Sequence, residues 1–285
     1  MTGLQIRAVS FGLIVHVARF AVILFGLWLA PLVGVTGWYL GLFVNVLCAV
    51  YAVYAVALVT YLKLWKSVGF LTLWRGRSSL LLLAVPFAEA VFRVVPNGLT
   101  DQPPGFGLWT LTLLLVGFNE ELISRGVVLG RLSRSFTAIP AVAVTAALFG
   151  LQHLSAFATT DREAYDVLTN VLASATYGFA LAAFQYRFSW IWPLIVIHGL
   201  ADFTSILART SYGDLVVAVT SVIFVIYGLV VLRPLARRAA RARFRWPPEP
   251  RGQASAMAPY SRPATAGQGC AEQGLRDQND SHPAI

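Results

Sequence analysis

Apolar residues run along this chain in long blocks rather than at alternating or every-third positions. Eight blocks are long enough, or nearly so, to cross a bilayer core about 30 Å thick as helices of about 20 residues. They cover residues 11–35, 38–61, 79–96, 106–124, 137–157, 166–186, 190–209 and 214–232. The pattern predicts an all-α, polytopic integral membrane protein of about eight transmembrane helices. His16 and Arg19 interrupt the first block, so its membrane portion is expected to start near Phe20. No small-residue cleavage site follows, and the block is read as a retained span rather than a signal peptide.

The loops set the orientation. Lys63, Lys66, Arg75 and Arg77 lie between the second and third blocks, Arg125, Arg131 and Arg134 between the fourth and fifth, and Arg187 between the sixth and seventh. All fall on one side, while the opposite loops carry Asp101, then Asp161, Arg162 and Glu163, then Arg209 and Asp214. The positive-inside rule then makes both termini cytoplasmic, which an even number of spans allows. Residues 1–245 read as the membrane domain and 246–285, rich in Pro, Gly, Ser and Gln, as a disordered cytoplasmic tail.

Composition agrees with this reading, at 57% hydrophobic and only 12% charged residues, where a soluble domain has about 25% charged. The net charge of +9 could suggest a nucleic-acid binder, but much of it sits in "RPLARRAARARFRWPPEPR" after the last block. There it is explained by anionic lipid at the cytoplasmic leaflet of a cell membrane, so lipids and no nucleic acid are the expected partners. Cys48 and Cys270 provide neither a disulfide framework nor a paired metal motif.

Ionisable side chains within the apolar blocks are costly and therefore mark function by default. His16 and Arg19 are expected to snorkel to the cytoplasmic edge. Glu89 and Arg93, one turn apart and flanked by Pro86 and Pro96, are expected to form a structural ion pair. Six others form a more specific set. In "GFNEELISRG", Glu121 and Arg125 have the i, i+4 spacing of a helical ion pair, with the acid N-terminal to the base. Glu120 is turned about 100° from its neighbour, so the two carboxylates can take separate environments and separate roles. "FGLQHL" places His153 one turn after Phe149, and "VIHGLADF" places Asp202 one turn after His198. Gly126, Gly150 and Gly199 would permit close helix approach around them.

If these helices converge, Glu120 and His153 can hold one water and act on it as a general base. His198 can then hydrogen-bond the oxyanion formed when that water attacks a peptide carbonyl. An ionised Asp202 only accepts hydrogen bonds, so its expected role is to orient His198. A divalent metal such as zinc at Glu120, His153 and His198 is an open alternative, although no H-E-x-x-H helix is present. Two other classes also use such clusters. One is an ion-coupled transporter or proton relay, and the other is a non-catalytic membrane scaffold or immunity protein.

The ordered set "EELISR", "FGLQH" and "HGLAD" over residues 119–202 resembles the CPBP family of intramembrane endopeptidases, also called CAAX proteases, bacteriocin-processing enzymes or Abi proteins. The family pattern is E-E-x-x-x-R, then F-x-x-x-H, then H-x-x-x-[N/D], within a motif core spanning about 106–209 here. The resemblance implies an eight-helix membrane protease with a cytoplasm-facing cavity, related to the eukaryotic enzyme that trims prenylated CAAX proteins. It implies Glu120 and His153 as the water-activating pair, His198 and Asp202 as the oxyanion pair, and Glu121 and Arg125 as supports. The substrate would be a membrane-associated protein or peptide, cleaved by a glutamate mechanism that requires no cofactor, in a bacterial plasma membrane. Asp202 stands where the prenyl-protein branch typically has Asn.

One geometric problem follows from the assigned edges. Counting about 1.5 Å per residue puts Glu120 and His198 about 9–12 Å from the cytoplasmic side and His153 about 24 Å from it. The three meet only if the fifth span starts after Pro140, or if the helices are tilted or broken.

Overall fold

Apolar blocks of this length can satisfy their backbone in lipid only by closing it into helices. The computed structural model of the chain has helices and no extended strand among its described residues, which are 1–32, 42–94, 98–103, 105–210 and 212–237. Helix α1 is Gly3–Leu32, α2 Leu42–Tyr61, α3 Arg77–Phe92, α4 Phe106–Leu132, α5 Ala138–Thr159, α6 Ala164–Phe188, α7 Ile191–Ile206 and α8 Asp214–Arg237. Among the described residues five helices are long and apolar enough to cross a membrane: Gly3–Gly26, Phe106–Leu132, Ala138–Thr159, Ala164–Phe188 and Asp214–Arg233. Val50–Tyr61 and Ile191–Ile206 are apolar but shorter. Residues 33–41, where the first two blocks meet, lie outside the described residues, as do Pro96 and the tail expected at 246–285.

Burial is arranged as a lipid solvent requires. Large apolar side chains cover the outside, with Val17 57%, Trp28 62%, Leu215 76% and Ile226 56% exposed, whereas in water such a surface would be an association site. The interior keeps an apolar core, including Leu122, Val128, Leu132, Ala183 and Val231, and also encloses His16, Arg19, Glu120, Glu121, Arg125 and His198.

The loops gather at two ends. At one end Thr100 donates its backbone N–H to Leu207 (2.8 Å), Arg209 donates to Gly98 (3.3 Å), and the Tyr212 hydroxyl donates to the Phe92 carbonyl (2.8 Å). At the other end, Gln5 reaches the Ser135 carbonyl (3.4 Å) and Arg187 the Val231 carbonyl (3.1 Å). The basic segment 62–76 folds there across the turn between α6 and α7. Gln185 donates to the Val68 carbonyl (2.9 Å) and accepts from the Trp190 backbone (3.0 Å). The Trp190 and Trp192 indoles both donate to the Thr72 carbonyl (2.6 and 2.8 Å), and Arg75 donates to the Ser189 carbonyl (3.0 Å).

This closure depends on Gly69. Its φ is +72°, and a Cβ there would lie 1.6 Å from the Ser189 carbonyl oxygen, a clash with backbone that no rotamer relieves. Gly69→Ala is expected to lower the thermal midpoint in detergent, at a cost above about 1–3 kcal/mol, while Gly76→Ala, which meets open space at a similarly positive φ, costs less. A thermal unfolding series of both variants checks the difference.

Candidate active site

The geometric problem posed by the sequence is solved by three departures from uniform helices. Helix α4 continues past the expected edge at residue 124, through a π-helical segment Leu122–Val128 and a final turn Leu129–Leu132. Glu120 is therefore about 18 Å along the helix from its end, deeper than the roughly 9–12 Å counted from the expected edge. Helix α5 starts at Ala138, ahead of Pro140, and is broken by a 3₁₀ turn at Gln152–Ser155 that carries His153. Helix α7 starts inside the protein, because segment 62–76 covers it: Ser189, Trp190 and Ile191 are all buried. Its first residue lies within the protein rather than at its surface, so a depth counted from it falls short.

Glycines let these helices touch. A Cβ on Gly117 would meet the Ile195 carbonyl at 2.7 Å, and one on Gly199 would meet the Leu113 carbonyl at 3.0 Å, so α4 and α7 approach backbone to backbone. Gly150 allows the same between α5 and α6, with Ala175 2.7 Å from its would-be Cβ. A Cβ on Gly126 would meet the Val68 side chain of the covering segment at 3.2 Å and Ile191, at the start of α7, at 3.8 Å.

Within this frame the two glutamates diverge. Glu121 is fully buried, pairs with Arg125 (Oε1 to Nη1, 3.0 Å) and accepts from His198 Nδ1 at 2.7 Å. The Arg125 guanidinium, also fully buried, lies 3.9 Å above the Phe149 ring, a cation–π contact in a dry setting. Glu120 accepts at Oε1 from Arg19 Nη2 (2.7 Å) and at Oε2 from Gln152 Nε2 (3.1 Å). His198 Nε2 lies 3.9 Å from Glu120 Oε2 and 3.6 Å from Asp202 Oδ2. The hydrogen bond that fixes the His198 ring therefore goes to Glu121, and Asp202, with a third of its side chain exposed, sits at the other nitrogen. Because the Nδ1 proton is assigned to this bond with a carboxylate, Nε2 is the atom left to face Glu120 and Asp202.

His153 Nδ1 lies 3.0 Å from the Phe149 carbonyl, to which it can only donate, so in the neutral ring Nε2 is the accepting nitrogen. Phe149 presents its ring to both imidazoles, with centroids 5.3 Å from His153 and 5.9 Å from His198. The Tyr177 ring flanks His198 from α6 at 5.6 Å. The structure thus brings Glu120, Glu121, Arg125, His198 and Asp202 into one network and places His153 beside it, next in sequence to the Gln152 that holds Glu120.

One expectation is corrected. His16 and Arg19 do not snorkel to an edge: each is only 7% exposed, inside a helix that runs unbroken from Gly3 to Leu32. Arg19 turns inward because a buried carboxylate across the bundle offers a charge-assisted bond that lipid cannot. The Glu89–Arg93 ion pair is present (Nε to Oε1, 2.7 Å), and Arg93 also donates to Ser205 on α7 (2.9 Å). Arg19, Asn119, Gln152 and Tyr177 were missed by sequence reasoning. Gln152, adjacent to His153, and Asn119, adjacent to Glu120, carried a signal through their positions.

A cavity of about 220 Å³ lies between α1 and α5, apolar along Leu13, Val17 and Leu148 and polar at His16, Arg19 and Gln152. A zinc ion would need three donors converging on it. Among the described residues no three His, Cys, Asp or Glu side chains do so.

Helices and site together define a membrane-type helical protein with an acid–imidazole network enclosed by its bundle. Residues 102–204 match the family model of type II CAAX prenyl endopeptidase Rce1-like proteins, in line with the CAAX-protease family that the motifs resemble. The match covers α4 to α7, the helices that carry the three motifs. No curated protein and no solved structure matches the chain.

Proposed function

We infer that the protein is an intramembrane endopeptidase that hydrolyses a peptide bond of a membrane-associated protein or peptide. The single observation that carries this reading is the division of labour between Glu121, fully buried and committed to Arg125 and His198, and Glu120, whose carboxylate faces the imidazoles. A water held between Glu120 and His153 Nε2 gives up a proton to the carboxylate as its oxygen attacks the scissile carbonyl carbon. In its imidazolium state His198 donates from Nε2 to the oxyanion, with Glu121 holding the ring from Nδ1. Glu120 then returns the proton to the departing amine, so water is consumed and a new carboxylate and amine are released. Asp202 supports the charge on His198 rather than donating.

In this reading α1 to α8 are eight spans, and the end bearing segment 62–76 and the basic loops faces the cytoplasm together with both termini, as the positive-inside rule requires. An ion-coupled transporter would use the same cluster but needs a path through the bundle. Purified full-length protein in proteoliposomes containing membrane-anchored peptides, with products read by mass spectrometry, tests the choice. Wild type is expected to cut, and His153→Ala to cut about 10²–10⁴-fold more slowly. Absence of any product, together with an ion flux lost in Glu120→Gln, would replace protease by transporter.

A further inference from the structure

Arg19 lies outside the family-matched segment 102–204, in a helix whose sequence offered no catalytic signal, yet its side chain holds Glu120. Its Nη2 is 2.7 Å from Glu120 Oε1 and its Nε donates to Asn119 Oδ1 at 3.2 Å. Asn119 is itself fixed, since its amide nitrogen donates to the Leu115 and Val116 carbonyls (2.8 and 2.9 Å), which turns its oxygen toward Arg19. The guanidinium also lies 5.3 Å from the centroid of the Tyr51 ring on α2. Three anchors from α2 and α4 thus define one orientation of a long, flexible side chain that is 7% exposed. A merely neutralising counter-charge would not need them.

We propose that Arg19 is a positioning residue for the reaction. It clamps Oε1 of Glu120 and keeps the carboxylate charged, so that Oε2 is the oxygen turned toward His198 and the attacking water. This rests on the protease reading, but its physical core does not. A buried carboxylate deprived of its counter-charge takes up a proton, whatever the site is used for. A second consequence is that the matched segment is incomplete as a catalytic unit, because α1 contributes the clamp. Lysine can supply the charge at Glu120 as a compact point, but it lacks the planar fork that reaches Asn119 and Glu120 together.

The test uses full-length protein in lipid nanodiscs, as wild type, Arg19→Gln, Arg19→Lys and the double variant Arg19→Gln/Glu120→Gln. Infrared difference spectra at neutral pH are expected to show a protonated-carboxyl band in Arg19→Gln that is absent from wild type, from Arg19→Lys and from the double variant. On a cleaved membrane-anchored peptide, Arg19→Gln is expected to lose about 10²-fold in kcat, the scale of a small misplacement of a catalytic group. Its KM should stay unchanged, and the acid limb of its pH profile should move to higher pH. Arg19→Lys should recover the pH profile and only part of kcat. An Arg19→Gln protein with no new carboxyl band would overturn the clamp, as would one with the wild-type kcat and pH profile. If Arg19→Gln fails to fold, wild-type kcat in Arg19→Lys overturns the positioning role. Should wild type cleave no peptide, the protease reading fails, while the infrared band still decides whether Arg19 holds Glu120 charged.

Discussion

Glu120→Gln is expected to reduce peptide cleavage by about 10²–10⁴-fold, the contribution of a positioned general base, while leaving the helical fold intact. The amide is nearly isosteric: its oxygen can still accept from Arg19, and its NH2 can donate to the Gln152 oxygen once that amide turns over, so the side chain stays held on both sides. It cannot take the proton of an attacking water. Arg19 then faces a neutral partner, which costs some stability, so the activity loss must be read against the folded fraction measured by circular dichroism and size exclusion. A cleavage rate within a few-fold of wild type, in folded protein, would remove Glu120 from the chemistry.

The second large effect is on stability and concerns the neighbouring glutamate. Glu121 and Arg125 are each 0% exposed, and each is the other's counter-charge, with His198 as a third member. Removing one partner of a buried pair leaves an uncompensated charge and costs about 3–5 kcal/mol. Glu121→Gln and Arg125→Met should each destabilise the protein by that order. The double variant should be less destabilised than the sum of the two, because each single change already breaks the same interaction. Thermal unfolding in detergent of the four proteins checks this. Additive losses would mean that the pair is not coupled, and His198 would then be held by something other than Glu121.

These two glutamates show how far the sequence could be read. The Glu121–Arg125 pair follows from i, i+4 spacing alone, as does Glu89–Arg93, because a helix brings such residues together wherever it sits. The helical class and the approximate limits of the helices follow from the length of the apolar blocks, and among the described residues five helices are long and apolar enough to cross. What could not be read is contact across the bundle. Arg19 and Glu120 are 101 residues apart, and His198 and Glu121 are 77 apart, so no local period relates them. The edge-snorkelling expected of Arg19 is the sound reading of a lone basic residue near a block's end. It fails because the helix extends to Gly3 and an acid waits inside.

The depth conflict among Glu120, His153 and His198 was visible in the sequence, and its resolution was not. The π-helical stretch at Leu122–Val128 and the 3₁₀ turn at Gln152–Ser155 have no residue signature of their own. Both are local changes of helical winding, and such changes occur often at functional sites. The buried start of α7 depends on segment 62–76, a loop that sequence reasoning valued only for its lysines and arginines. Its role in the fold comes from the Thr72 carbonyl shared by two indoles and from a glycine at positive φ.

The most direct measurement of the central claim is cleavage of a membrane-anchored peptide in H₂¹⁸O by reconstituted wild type and Glu120→Gln side by side, with product masses determined. The account predicts that wild type forms a new C-terminal carboxylate carrying one ¹⁸O and that Glu120→Gln forms almost none. Equal product from both proteins would contradict it.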